Sequence, residues 1–90
     1  MRYALMTKDK PGALQLRMDN REAHLAYIAE TGVVEMAGPL LDDAGEMCGS
    51  LIVLEVADYA AARAWAEGDP YARAGLFAET TLLPWKKVIG

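Results

Sequence analysis

One histidine and two arginines are the residues of this sequence best suited to acid–base chemistry. His24 is the only histidine, and Arg17 and Arg21 precede it by seven and three positions in a stretch that we predict to be helical. At these spacings the three side chains share one flank of a helix. An imidazole can become cationic near neutral pH, and here it would stand beside two fixed cations. Such a flank suits an anionic ligand. A partly exposed histidine on an ordinary charged helix edge is an equally good interpretation of the same spacing.

Asp69 is the carboxylate that would orient this imidazole, provided that folding brings the two distant residues together. It stands in Gly68-Asp69-Pro70-Tyr71, where aspartate before a proline predicts the start of a helix. Helix capping alone explains an aspartate there. In the functional interpretation its carboxylate fixes the tautomer of His24 and stabilises the charged form of the ring.

Two further side chains are candidate nucleophiles, and two acids are a candidate metal pair. Ser50 and Cys48 lack the context of a nucleophile elbow or a reactive thiol, so we interpret both as strand residues. Asp42 and Asp43 are typical of a solvated hairpin loop. A single cysteine forms no internal disulfide, and without nearby cysteine or histidine it forms no zinc site. We therefore predict no metal and no cofactor.

Apolar segments separated by turns predict the elements that must position these residues. Strands are expected at residues 2–7, 33–41, 47–56 and 76–85, and helices at residues 13–31, 59–67 and 70–74. The first predicted turn begins at Lys8. On the long helix, His24 lies at the edge of an apolar stripe that we expect to be buried. That stripe is Leu14, Met18, Leu25, Ile28 and Ala29.

The order β-α-β-β-α-β is that of the ferredoxin-like α+β fold, an antiparallel sheet with helices on one face. Its second and fourth strands are edges, which tolerate Pro39 and Pro84. The third strand is apolar on both alternating faces, from Leu51 to Leu54. Since the helices cover one face, we expect a second copy to cover the other in a dimeric, barrel-like assembly. Residues 1–90 are predicted to form a single domain.

Composition excludes several classes of partner. The chain is 53% apolar and 24% charged, its net charge is −4, and its nine lysines and arginines are scattered, which disfavours nucleic acid. No apolar run approaches the ~18 residues that a membrane span needs, and no leader pattern begins the chain. We therefore expect a cytoplasmic protein with no membrane partner.

Several segments of the sequence, considered together, resemble the YciI-like (YCII-related) family over nearly the whole chain. They are RMDNREAHLAYI, VEMAGPLLD, GSLIVLE, ARAWAEGDPYARAGLF and PWKKVI, which carry Arg17, Arg21, His24, Gly38-Pro39, Gly49-Ser50 and Asp69-Pro70-Tyr71 in order.

The resemblance implies a ferredoxin-like fold similar to that of muconolactone isomerases and a dimer formed by packing of sheets. It also implies a site with a histidine and an aspartate, here His24 and Asp69, with Gly38, Pro39 and Ser50 as neighbours. One branch of the family is similar to dehydrochlorinases that act on chlorinated hydroxyquinols.

The sequence therefore predicts an enzyme without a cofactor that isomerises, or eliminates a group from, a small anionic or cyclic metabolite. His24 is the expected general base, Asp69 orients it, and Arg17 or Arg21 holds an anionic or enolate-like oxygen. One alternative is a non-catalytic module that uses the same cleft to bind a small acidic metabolite or a partner protein. Another is a structural dimer in which His24 is incidental.

Overall fold

The protein, described over all 90 residues by a computed structural model, consists of four strands and three helices. None of the helices combines the length and the apolar character that crossing a bilayer requires. The strands are β1 (Arg2–Asp9), β2 (Val34–Leu41), β3 (Met47–Glu55) and β4 (Phe77–Trp85), and the helices are α1 (Leu14–Thr31), α2 (Tyr59–Gly68) and α3 (Pro70–Arg73).

The strands form one antiparallel sheet in the order β2-β3-β1-β4, with the helices on one face. This confirms the predicted ferredoxin-like α+β fold. Pro39 and Pro84 lie in the two edge strands, where a missing N–H disrupts no central ladder.

Strand β1 is longer than the sequence predicted. Lys8 pairs with Gly49 of β3, and Asp9 pairs with Phe77 of β4 after a shift in register. The predicted turn at Lys8 is therefore wrong, because a charged side chain can continue a strand when its charge is solvated or paired. The carboxylate of Asp9 is paired with Arg17.

The core lies between the sheet and α2. It consists of two residues each from β1, β3 and α2: Tyr3, Leu5, Ile52, Leu54, Ala62 and Trp65. Helix α1 is joined to α2 by two hydrogen bonds of 2.8 Å. The Tyr27 hydroxyl donates to the carbonyl oxygen of Trp65, and the indole N–H of Trp65 donates to Oγ1 of Thr31. These contacts fix the long helix over the sheet, and with it the side chains of its inner face.

The inner face of α1 is not the stripe that the sequence predicted. Leu14, Met18 and Leu25 are 37%, 47% and 47% exposed, whereas Arg17 and His24 are the buried residues of the helix. Burying charged and polar side chains is costly unless they are hydrogen-bonded. Both have such partners in this fold, and hydrophobic periodicity cannot detect that compensation. The histidine therefore lies at the centre of the buried face and not at its edge.

The face of the sheet opposite the helices carries large apolar side chains that no part of the chain covers. Residues paired across the strands, such as Met6 with Leu51 and Ala4 with Leu83, point to this side. We call it the open face. Its exposed large apolar residues are Met6, Met36, Leu40, Leu51, Leu83 and Trp85.

Candidate active site around His24 and Asp69

His24 and Asp69 meet inside the fold. Nδ1 of His24 lies 2.7 Å from Oδ1 of Asp69, and both side chains are buried. Because an ionised carboxylate only accepts hydrogen bonds, Nδ1 carries the proton. The same Oδ1 accepts the backbone N–H of Tyr71 at 3.0 Å, which caps α3. Capping and contact with the histidine are thus functions of one oxygen atom, and the cap holds the carboxylate in place for the imidazole.

Tyr71 holds the imidazole from the other side, a role that the sequence interpretation missed. Its ring stacks on His24 with centroids 4.0 Å apart and planes 15° from parallel. The Arg17 guanidinium carbon lies 4.7 Å from the centroid of the same ring. Burial raises the pKa of the Tyr71 phenol, and the charge of Arg17 opposes that rise. The sequence interpretation assigned this aromatic to packing, although its place two residues after Asp69 was the available signal.

Arg17 lies beneath the site, held by a buried ion pair. Its Nε and Nη2 donate to the two carboxylate oxygens of Asp9 at 2.7 and 3.0 Å, and Nη2 also donates to Oγ of Ser50 at 2.9 Å. Burial lowers the pKa of Arg17, but the hydrogen bond and charge of Asp9 outweigh it, so the net shift is upward. The role of Asp9 was missed because the sequence placed it in a turn.

A cavity of about 170 Å³ opens between α1, β2 and β3, with His24 in its wall. We call it the His24 cavity. Nε2 of His24 makes no hydrogen bond within the chain and is not fully buried, so it faces this space. The wall consists of Arg21, His24, Leu25, Ile28, Ala37, Gly38, Pro39, Ser50, Ile52 and Tyr71.

The two arginines of the predicted flank differ in position. Arg21 lines the His24 cavity, is exposed and takes part in no ion pair. Arg17 is only 3% exposed and is not part of the wall. Of this pair, Arg21 is the cation that a ligand in the cavity can reach.

The cavity is also lined by the three residues that were predicted to lie near His24 and Asp69, which are Gly38, Pro39 and Ser50. Pro39 of β2 pairs with Ser50 of β3, so both project from the helix side of the sheet. Gly38 and Pro39 form the edge wall, and Ser50 is 1% exposed at the floor. Because arginine only donates, the Ser50 oxygen accepts from Arg17 while its own O–H stays free to donate.

The other candidates lie away from this cavity. Oδ1 of Asp42 accepts the backbone N–H groups of Ala44 and Glu46, as a hairpin-loop aspartate does. Cys48 is a half-buried free thiol in β3. No three histidine, cysteine, aspartate or glutamate side chains are grouped as a metal site would require.

Sequence comparisons match the whole chain to one family. A profile described as the YCII-related domain matches residues 1–86. Protein YciI of Escherichia coli O6:H1 is 35% identical over 97 aligned positions, which cover 98% of this chain and 99% of that protein. An uncharacterized protein of Haemophilus influenzae is 33% identical with the same coverage.

Comparison of structures agrees. The 5-chloro-2-hydroxyhydroquinone dehydrochlorinase (TftG) of Burkholderia phenoliruptrix AC1100, solved in complex with 2,5-dihydroxybenzoquinone, is 37% identical with a TM-score of 0.87, covering 96% of this chain and 94% of that one. An antibiotic biosynthesis monooxygenase, 12% identical with a TM-score of 0.61 over 98% of each chain, shares the fold alone. The residues matched, the identity and the coverage together show that this chain belongs to the YCII-related (YciI-like) family.

Proposed function

We propose that this protein is an enzyme that needs no cofactor and uses His24 as a general base on a small cyclic or anionic molecule. The observation that carries the proposal is the 2.7 Å contact between Nδ1 of His24 and Asp69, which leaves Nε2 facing the His24 cavity. With the proton on Nδ1, the lone pair of neutral His24 is on Nε2, where a ligand would lie.

Proton transfer by this pair follows from its geometry. Nε2 takes a proton from an acidic C–H or O–H group of the ligand, and the electron pair moves into the ligand as an enolate. In an isomerisation, these electrons then take the proton back from His24 at another carbon of the ligand. In an elimination, they expel a leaving group instead. Asp69 stabilises the imidazolium that forms, and a positioned base of this kind contributes roughly 10²–10⁴-fold in rate.

Two groups in the His24 cavity can donate to the ligand oxygen on which negative charge develops. The exposed guanidinium of Arg21 offers charge at the rim, and the Ser50 hydroxyl offers a hydrogen bond at the floor. Because Arg17 donates to Ser50, it polarises that hydroxyl without touching the ligand. Donors fixed in advance around a buried oxygen are an effective way to stabilise such charge. Arg17 is thus a positioning residue in this scheme.

The size of the His24 cavity favours a single ring. A cavity of about 150 Å³ is known to hold one benzene molecule, and this one is about 170 Å³. Its apolar wall residues would contact the ring faces while the donors contact its oxygens. TftG, which is 37% identical, is named for dehydrochlorination of a hydroxyhydroquinone. That similarity supports elimination on a hydroxylated ring as the first reaction to test.

Chloride release from 5-chloro-2-hydroxyhydroquinone tests the proposal, with wild type compared against His24→Gln. NMR titration with 2,5-dihydroxybenzoquinone measures binding separately. We expect His24→Gln to keep the fold and bind the quinone within a few-fold of wild type, but to lose at least 100-fold in turnover. Replacing Leu25, which also lines the cavity, with methionine provides a control of similar volume that keeps the base.

Equal turnover by wild type and His24→Gln would refute the mechanism. Saturable binding of the quinone without turnover by wild type would instead favour a binding module over an enzyme. Deuterium exchange of the ring protons of 2,5-dihydroxybenzoquinone in D₂O provides a second readout of proton transfer that needs no leaving group.

We also propose that a second copy of the chain covers the open face. Six large apolar side chains are exposed there, more than a soluble monomer commonly leaves uncovered on one surface. Leu51→Glu places a charge in the middle of that face, and Leu14→Glu changes a similarly exposed leucine of α1 as the control. Light scattering should find dimers for wild type and Leu14→Glu and monomers for Leu51→Glu. Monomeric wild type, or dimeric Leu51→Glu, would contradict the pairing.

A further inference from the structure

A second cavity, twice the size of the first, lies between β1 and β4 of the sheet and the helices α2 and α3. Its volume is about 340 Å³, and none of its wall residues lines the His24 cavity. We call it the Thr7 cavity. The wall consists of Leu5, Thr7, Tyr59, Arg63, Ala66, Glu67, Ala72, Phe77, Thr80 and Leu82.

The hydroxyl of Thr7 has no hydrogen-bond partner, although the residue is only 3% exposed. One other buried side-chain atom lacks a partner, and it belongs to Asp69 at the first site. Leu5 and Thr7 alternate along β1 on the helix side of the sheet, and their β4 partners Leu82 and Thr80 line the same cavity. A buried hydroxyl without a partner is rare because it loses its bonds to water on folding. The oxygen itself has almost no accessible surface, so a bound molecule would reach it after rotation about χ1 exchanges the hydroxyl with the methyl group of Thr7. An oxygen or N–H group of that molecule would then restore one hydrogen bond.

The other wall residues define the chemistry of that molecule. Leu5, Phe77 and Leu82 make the floor apolar, so a hydrophobic ring would lose water favourably there. At the rim, Nε of Arg63 lies 3.7 Å from Oε1 of Glu67, and each side chain is about two-thirds exposed. Their charges cancel and are solvated, so the rim offers little to an ion. A threonine hydroxyl both donates and accepts, which matches a hydroxyl or carbonyl group.

We propose that the Thr7 cavity is a second small-molecule site, which takes an uncharged, mostly apolar molecule of one or two fused rings with a hydroxyl or carbonyl group. The volume agrees with this class, because about 150 Å³ holds one benzene ring and the Thr7 cavity has 340 Å³. The polar group of the ligand lies against Oγ1 of Thr7 after the rotation about χ1, and its rings lie between α2 and β4. This site is independent of the proposed general base, since the two cavities have no wall residue in common.

Titration of ¹⁵N-labelled protein with 2-naphthol, followed by amide NMR shifts, tests the proposal. We expect saturable shifts at Ala66, Ala72 and Phe77, and none beyond the noise at Ile28. Thr7→Val keeps the shape of the side chain and removes the hydroxyl, so it should raise Kd about fivefold, which corresponds to one net hydrogen bond. His24→Gln should leave this Kd unchanged.

Three results would overturn the proposal: no saturable shift with 2-naphthol, shifts confined to the His24 cavity, or equal Kd values for wild type and Thr7→Val. Urea unfolding of Thr7→Val keeps the test sharp, because a variant at least as stable as wild type excludes misfolding as the cause of weaker binding. The outcome does not depend on whether the protein turns over any substrate, so it can fail while the proposed function stands, and the reverse also holds.

Discussion

Arg17 and Arg21 look equivalent in sequence, but the structure predicts that replacement by methionine will lower stability at Arg17 and weaken ligand binding at Arg21. Arg17 is 3% exposed and bonded to both oxygens of Asp9, whereas Arg21 is exposed and unpaired. Removing one partner of a buried ion pair costs about 3–5 kcal/mol, because the other charge stays buried alone. A chain of this length has a total stability of about 5–13 kcal/mol, so Arg17→Met should remove a large part of it.

Arg21→Met should change stability by no more than about 0.5 kcal/mol, as is usual for exposed positions. Its effect should appear in binding, with the Kd for 2,5-dihydroxybenzoquinone raised about 3- to 10-fold by loss of the one free cation in the His24 cavity. The double variant Arg17→Met with Asp9→Leu removes both charges, and it should be more stable than Arg17→Met alone.

Urea unfolding followed by tryptophan fluorescence measures these stabilities, at one protein concentration because self-association would add to the apparent value. The reasoning is refuted if Arg17→Met lies within about 1 kcal/mol of wild type, or if the double variant is less stable than the single one. The first result would mean that the guanidinium is solvated and available to a ligand, and the second that the Asp9 carboxylate is stabilised without Arg17.

Two further predictions concern Asp69 and a pair of glycines. Asp69→Asn keeps a carbonyl oxygen that can accept from both His24 and the Tyr71 N–H, but it loses the charge and puts an NH₂ group where the buried Oδ2 has no partner. Turnover should fall about 5- to 30-fold, against 100-fold or more for Asp69→Ala. Equal losses in steady-state kinetics would contradict this. Gly49→Ala forces a methyl against the Thr7 carbonyl oxygen and should destabilise the fold by about 1–3 kcal/mol or more in urea, whereas Gly38→Ala meets no atom within 4 Å and should not.

Local pattern was sufficient to predict most of the fold. The order of strands and helices, the edge positions of Pro39 and Pro84 and the covered single face all followed from periodicity and turn residues. These signals act between residues close in the chain, so they can be recognised without coordinates. The family resemblance likewise depends on residues that appear in order along the sequence.

Contacts between distant residues were decided only by the tertiary structure. Periodicity placed the leucines of α1 inside, but the fold buries Arg17 and His24 there because Asp9 and Asp69 compensate their polarity. Such compensation depends on partners from other elements, and hydrophobic patterns do not record it. The stacking of Tyr71 on His24 is hidden for the same reason. The sequence by itself determined which elements form, and only their packing decided which charged and polar side chains meet inside.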